Sequence, residues 1–270
     1  MKPKFRGVGL SLHLDQINEA IQEAPVDGFS EVIADNWLSP GPHHQKLARL
    51  REKQEVLFHC VNSNVGGVDP LDTKYLSQIK ELADRFHVEH LSDHLCMQAH
   101  NGIHFHDLLP IPFTQESLNN CAERIDRIQE LWGRELILEN LSYYIEYPEA
   151  DYTEAGFLNE LHRRTSCGIL LDLNNIWVNE QNLNIPVNDF LGELNQHSIK
   201  EVHLAGPELS GDVYVDTHGS GVQSAVLELL PSLSTKEPVP IIYERDRNIP
   251  PFAKLLEETN HISDFVRQHA

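Results

Sequence analysis

Short apolar runs rich in Val, Ile and Leu recur along the chain and alternate with stretches whose apolar residues fall three or four positions apart. The runs are GVGLSL (7–12), FSEVIAD (29–35), EVLFHCV (55–61), VEHLSDHL (88–95), ELILEN (135–140), GILLDLN (168–174), IKEVHLAG (199–206) and VPIIYERD (239–246). Runs of this length and composition predict strands buried on both faces. Between them, Ile17/Ala20/Ile21/Ala24, Leu76/Ile79/Ala83/Phe86 and Leu118/Ala122/Ile125/Ile128/Leu131 predict amphipathic helices. Thr114 and Thr153 stand where N-caps belong, Gly133 follows the end of one helix, and Pro186 and Pro250 are placed to open others. Eight strands separated by helices predict an α/β fold in which a parallel sheet closes as a (β/α)8 TIM barrel. A doubly wound open sheet is the alternative, but no G-x-G-x-x-G follows a strand. The pattern is even along residues 1–270, so one TIM-barrel domain is expected. The longer connections, roughly 96–112, 141–152, 175–186 and 207–219, follow the fourth to seventh strands and would all stand at the C-terminal mouth of a barrel.

Most strands end in a metal-ligand type. His59 closes the third, His94 the fourth, Glu139 the fifth, Asp172 and Asn174 the sixth, His203 the seventh, and Glu244 and Asp246 the eighth. The loop after the seventh adds Asp216 and His218 in VDTHG. A period of two puts Asp172 and Asn174 on one face and Leu171 and Leu173 on the other, so the polar set is expected to enter the barrel. Several inward carboxylates would repel one another and lose hydration, and a multivalent cation removes that conflict. Mixed imidazole and carboxylate donors suit iron, manganese or zinc, and their number exceeds the needs of one ion. Asn140, Asn175 and Asp246 are expected to orient neighbouring groups rather than bind directly. His13, His43, His44, His87, His90, His100, His104, His106 and His197 are expected to be surface, loop or packing residues. NVGG (64–67) is expected to be an ordinary turn, and Cys60 to face away from His59.

Composition narrows the partners. With 41 acidic against 21 basic residues the net charge is −20, and no basic run resembles a phosphate-binding arm. Neither nucleic acid nor an anionic membrane is an expected partner. The four cysteines, Cys60, Cys96, Cys121 and Cys167, are widely spaced and fit reduced thiols in a cytoplasmic protein. No segment has the length of apolar residues needed to span a bilayer.

Taken in order, GVGLSL, DNW (35–37), FHCVNSNVGGVDPLD, LSDHL, DLLPIPFT, GRELILENLSYY, GILLDLNNIWVNEQN, EVHLAG, DTH and ERD resemble the DUF692 (UPF0276) family nearly end to end. Its characterised members are multinuclear non-heme iron-dependent oxidative enzymes, including the iron subunit that makes methanobactin. The resemblance implies a TIM barrel with two or three iron ions in its mouth, held by His59, His94, Glu139, Asp172, Asn174, His203, Asp216, His218 and Glu244. It also implies O2-dependent modification of cysteines in a ribosomally made precursor peptide, often with a separate protein that binds the peptide leader. The chain departs from the family pattern at Asp35, Asp93, Cys60, Pro207 and Arg245, and Pro207 and Arg245 are expected at the mouth, where substrate is chosen. Two other readings fit the residues: a zinc- or manganese-dependent hydrolase or isomerase of the xylose isomerase-like barrel type, and a non-catalytic metal-binding scaffold.

Overall fold

The structure, a computed structural model, describes residues 5, 7–23 and 28–269. Its strands are β1 (Val8–Ser11), β2 (Phe29–Ile33), β3 (Glu55–His59), β4 (Leu91–His94), the hairpin of β5 (Met97–His100) and β6 (Ile103–Leu109), β7 (Leu136–Glu139), β8 (Gly168–Asp172), β9 (Ile199–Leu204), the hairpin of β10 (Glu208–Ser210) and β11 (Val213–Val215), and β12 (Ile241–Tyr243). The helices are α1 (Ile17–Glu23), α2 (His43–Lys53), α3 (Thr73–Phe86), α4 (Gln115–Trp132), α5 (Glu154–Thr165), α6 (Leu173–Leu183), α7 (Val187–Glu193), α8 (Ser224–Leu227) and α9 (Phe252–His269). Eight parallel strands close into a barrel in the order β1-β12-β9-β8-β7-β4-β3-β2. Each predicted run supplies one of them. None of the described helices is long and apolar enough to cross a membrane.

Local chemistry sets the helix ends. The Thr114 hydroxyl accepts from Ser117 N at the start of α4, and Gly133, at φ +67°, closes it in the left-handed region. Thr153 caps α5 in the same way, accepting from Gly156 N. Pro186 is the N-cap of α7. Pro250 does not open α9: the carbonyl of the next residue, Pro251, takes the amides of Lys254 and Leu255. Ala24 of the first predicted helix lies outside the described residues.

Two expectations about the sixth strand are corrected. The strand stops at Asp172, whose carboxylate accepts the amide of Asn175 at 2.6 Å and so starts α6. Asn174 is therefore helical, and 175–186, read as a loop, is mostly helix. Likewise β12 ends at Tyr243, leaving Glu244 and Asp246 just past the strand. The remaining mouth connections hold the β5–β6 hairpin, the irregular 141–152 segment and the β10–β11 hairpin.

Strand register carries the site. His94 lies beside Glu139, and Asp172 beside His203. His59 lies beside Ser92, Glu139 beside Leu170, and His203 beside Ile242. From one strand to the next the inward donor thus moves by zero or two residues, which is how a staggered barrel keeps parity. The opposite parity, including Phe58, Cys60, Leu138, Leu171, Val202 and Leu204, joins the large core under the helices. Inside the barrel, Phe29, Leu57 and Ile242 make a small separate apolar floor with Phe5 against it.

Candidate metal centre

Above that floor the barrel is filled with polar groups. His59 Nε2 lies 3.2 Å from His94 Nε2, and Glu139 Oε2 is 3.3 Å from each. The Ser92 hydroxyl donates to the Phe58 carbonyl and stands 2.8 Å from His59 Nδ1. The Ser92 contact at Nδ1 fixes the ring plane and leaves Nε2 turned toward His94 and Glu139. Burial, reinforced by His94 and His203, pushes the His59 imidazolium well below its ordinary range, so the ring is neutral, as a ligand must be.

Three further groups follow, the next sharing Glu139 with the first and the other two linked to that one through Asp172 and His203. Glu139, Asp172 and His203 form one, Asp172, His218 and Glu244 the next, and Glu31, His203 and Glu244 the last. In each, one donor atom per residue lies within 4.8 Å of the others. His203 Nδ1 is 3.2 Å from Glu244 Oε2 and 3.7 Å from Glu139 Oε1. Its Nε2 is 3.3 Å from Glu31 Oε2 and 3.7 Å from Glu201 Oε1. His218 sits with φ +49° in the loop after β11, with Nε2 2.9 Å from Asp216 Oδ1 and Nδ1 2.9 Å from Asp246 Oδ2. Asn174 reaches the same group from α6, donating to Asp216 Oδ1 at 2.7 Å.

The electrostatics are those of crowded carboxylates. Burial pushes Glu139 up to about 7, partly offset by His94 and His203. Burial raises Asp172 well above its usual range, with Glu139 and Asp216 adding to it. Burial does the same to Glu31. Protons held this way stand in for positive charge that a multivalent cation would supply. Asp172 Oδ2 and Asn174 Oδ1 are buried without a hydrogen-bond partner among the described residues, and Glu139 Oε2, His203 Nδ1 and His218 Nε2 face other candidate ligands. Donor atoms that converge and are left over in this way fit a metal cluster.

Asn140, Asn175 and Asp246 make contacts around these donors. Asn140 accepts from the Asp172 amide at 2.9 Å and donates to its carbonyl at 3.1 Å. Asn175 donates to the Asn140 carbonyl at 3.0 Å, and Asp246 holds His218. All nine residues expected to bind metal thus lie in one connected region. Sequence reasoning did not single out Glu31 or Glu201, and it read His90 and His13 as surface, loop or packing residues. Glu201 Oε2 is 2.8 Å from His90 Nε2, and His13 Nε2 is 3.5 Å from Asp246 Oδ1. Glu31 stands in the apolar run FSEVIAD and shares parity with Ile33, the partner of His59.

The mouth above the centre is a cavity of about 870 Å3 that is also lined by His104 and His106 on β6. Arg245 does not face it. Its guanidinium turns under α9, 3.1 Å from the Tyr243 hydroxyl and 3.5 Å from Glu258. NVGG is a turn, with Gly67 N bonded to the Asn64 carbonyl. All four cysteines are free and buried.

A closed parallel barrel with a histidine and carboxylate cluster at the C-terminal mouth defines a metal-type TIM-barrel site. The chain belongs to the family described as RiPP precursor modification enzyme MbnB/TglH/ChrH, whose model matches residues 7–267. It is 37% identical over 266 residues to a UPF0276 protein of Acaryochloris marina, covering 98% of this chain and 96% of that one. A UPF0276 protein of Neisseria gonorrhoeae is 38% identical over 242 residues, covering 88% and 86%. Among solved structures, a D-psicose 3-epimerase crystallised with D-fructose is similar in fold, with TM-score 0.60, 13% identity and coverage of 96% and 94%. So is a xylose isomerase domain protein of Planctomyces limnophilus, with TM-score 0.56, 15% identity and coverage of 96% and 98%.

Proposed function

We propose that this protein is a multinuclear non-heme iron-dependent enzyme that uses O2 to modify cysteine residues of a ribosomally made precursor peptide. The observation that carries the reading is the chain of donor groups linked through shared residues, with Glu139 and Asp172 each belonging to two of them. Shared carboxylates suit two or three neighbouring ions better than one. His59, His94, Glu139, Asp172, Asn174, His203, Asp216, His218 and Glu244 would hold them. Iron bound there supplies an open position for a soft thiolate and the electrons that O2 chemistry requires.

The chain's own part is orientation and exclusion of water. Ser92 meets Nδ1 of His59 and Asp246 meets Nδ1 of His218, which orients both rings with Nε2 turned toward other candidate ligands. Asn140 and Asn175 lock the backbone from which Asp172 projects. The mouth is wide enough for a peptide segment. A separate leader-binding protein is part of the same proposal.

The test is elemental analysis of protein made in iron-supplemented cells and purified without oxygen, beside His59→Ala and Asp172→Ala. Two or three irons per chain, reduced in both variants, together with O2 uptake and a mass change on a cysteine peptide, are expected. One zinc or manganese with activity under strict anaerobiosis would replace this reading with hydrolase or isomerase chemistry. Peptide binding without alteration in air would leave a scaffold.

A further inference from the structure

Beside the mouth lies a second cavity of about 300 Å3, between the 141–152 segment, the start of α5 and α7. Pro110, Tyr143 and Ile145 line both cavities, so the two are neighbours across a single wall. That wall is tied to the metal centre through α6. Asn179, on the helix that Asp172 caps, accepts from the Tyr143 amide at 2.9 Å and donates to the Leu141 carbonyl at 2.9 Å. The position of the second cavity relative to the centre is thereby set by hydrogen bonds in the native fold.

Its lining has an unusual combination of surfaces. Phe113, Tyr143 and Tyr152 supply aromatic faces, and four carboxylates, Glu146, Glu154, Asp189 and Glu193, line the same space with no Lys, Arg or His. Glu154 is the buried member, with Oε2 3.4 Å from the Tyr143 hydroxyl. Aromatic faces cover the methylenes of a long cationic side chain, and carboxylates meet its charge. Glu193 already accepts from the Thr153 hydroxyl and Glu154 holds its proton near neutral pH, so an incoming charge would first meet the exposed Glu146 and Asp189. We propose that this cavity is a specificity subsite that takes a lysine or arginine side chain of the substrate peptide while a nearby residue of the same peptide occupies the mouth. The proposal rests on the peptide-modifying function above and adds the chemistry by which one peptide is chosen over another. Burial holds the Glu154 carboxyl at about 8, and a docked cation would draw its proton off, adding a full charge to the contact.

The test is calorimetric titration of the full chain with two blocked tripeptides, N-acetyl-Gly-Lys-Gly-amide and its norleucine counterpart. The lysine probe is expected to bind at least ten-fold more tightly. Glu146→Gln combined with Asp189→Asn, both exposed positions, should cut that preference at least five-fold without shifting the melting temperature. Equal binding of the two probes, binding of neither, or a preference unchanged in the double variant would overturn the subsite. Binding is read without turnover. Loss of lysine preference alongside intact iron content and cysteine oxidation would remove only the subsite, and preference without either would remove only the function proposed above.

Discussion

His203 is held from two sides. Nδ1 faces Glu244 and Glu139, while Nε2 faces Glu31 and Glu201. A carboxylate behind a metal-binding imidazole fixes its tautomer and raises its basicity, and losing one typically weakens metal retention about 10- to 100-fold. Glu31→Gln is therefore expected to lose metal that much more readily in a chelator competition, and retention equal to wild type would remove Glu31 from this role. Glu154 makes a different kind of prediction. It titrates near 8 in the fold, against an ordinary 4.5, because it is buried. Between those values the native chain keeps a proton that the unfolded chain has released. The stability tied to that proton is whole below about pH 4.5 and lost as pH rises toward 8. Glu154→Gln should flatten the decline in denaturant stability between pH 5 and 8, by on the order of a few kcal/mol. An unchanged slope would refute it. At this scale the donor types were readable because polar groups at the ends of apolar runs are costly without a purpose. Glu31 was not, since a single carboxylate inside FSEVIAD reads as an ordinary exposed strand position.

α6 connects the histidine and carboxylate cluster to the wall between the two cavities. Asn175 and Asn179, one turn apart, bind the chain that continues β7 past Glu139. Asn179→Ala would leave the Leu141 carbonyl and the Tyr143 amide unpaired, at about 1–3 kcal/mol each. Urea unfolding should therefore show a loss of a few kcal/mol, while Asn179→Asp, which keeps an acceptor for the Tyr143 amide, should lose less. The alternation of strand and helix was legible because most helices bury one face and expose the other. α6 was hidden for a physical reason: Leu173 to Asn179 are all buried, so its run has no polar face to reveal a 3.6-residue period. The same absence of contrast made LDLNN look like continued strand, and Asn174 was placed in the site by a parity it does not follow.

The whole molecule carries a net charge of −20 and concentrates buried carboxylates along the barrel axis. Any cation that binds this fold and not the unfolded chain stabilises it by mass action, by about 2.7 kcal/mol when present at 100 times its dissociation constant. Anaerobic chelation should lower the melting temperature and readdition of Fe2+ should restore it, whereas an unchanged melting temperature would mean that the cluster does not bind iron tightly. The closed sheet was visible in eight separate runs, but the mouth was less so, because hairpins and a turned-away Arg245 depend on contacts far apart in the chain. One geometric fact sets a timetable for loading. Asp172, Asn174 and His203 have no exposed surface, whereas His59, His94, Glu139, Asp216, His218 and Glu244 line the mouth. The floor of Phe29, Leu57 and Ile242 closes the other end. If two or more ions bind as proposed, they would enter through the mouth, and the last to arrive would be the first to leave. A pulse of isotopic iron should exchange at the rim while the deep ion keeps its original label.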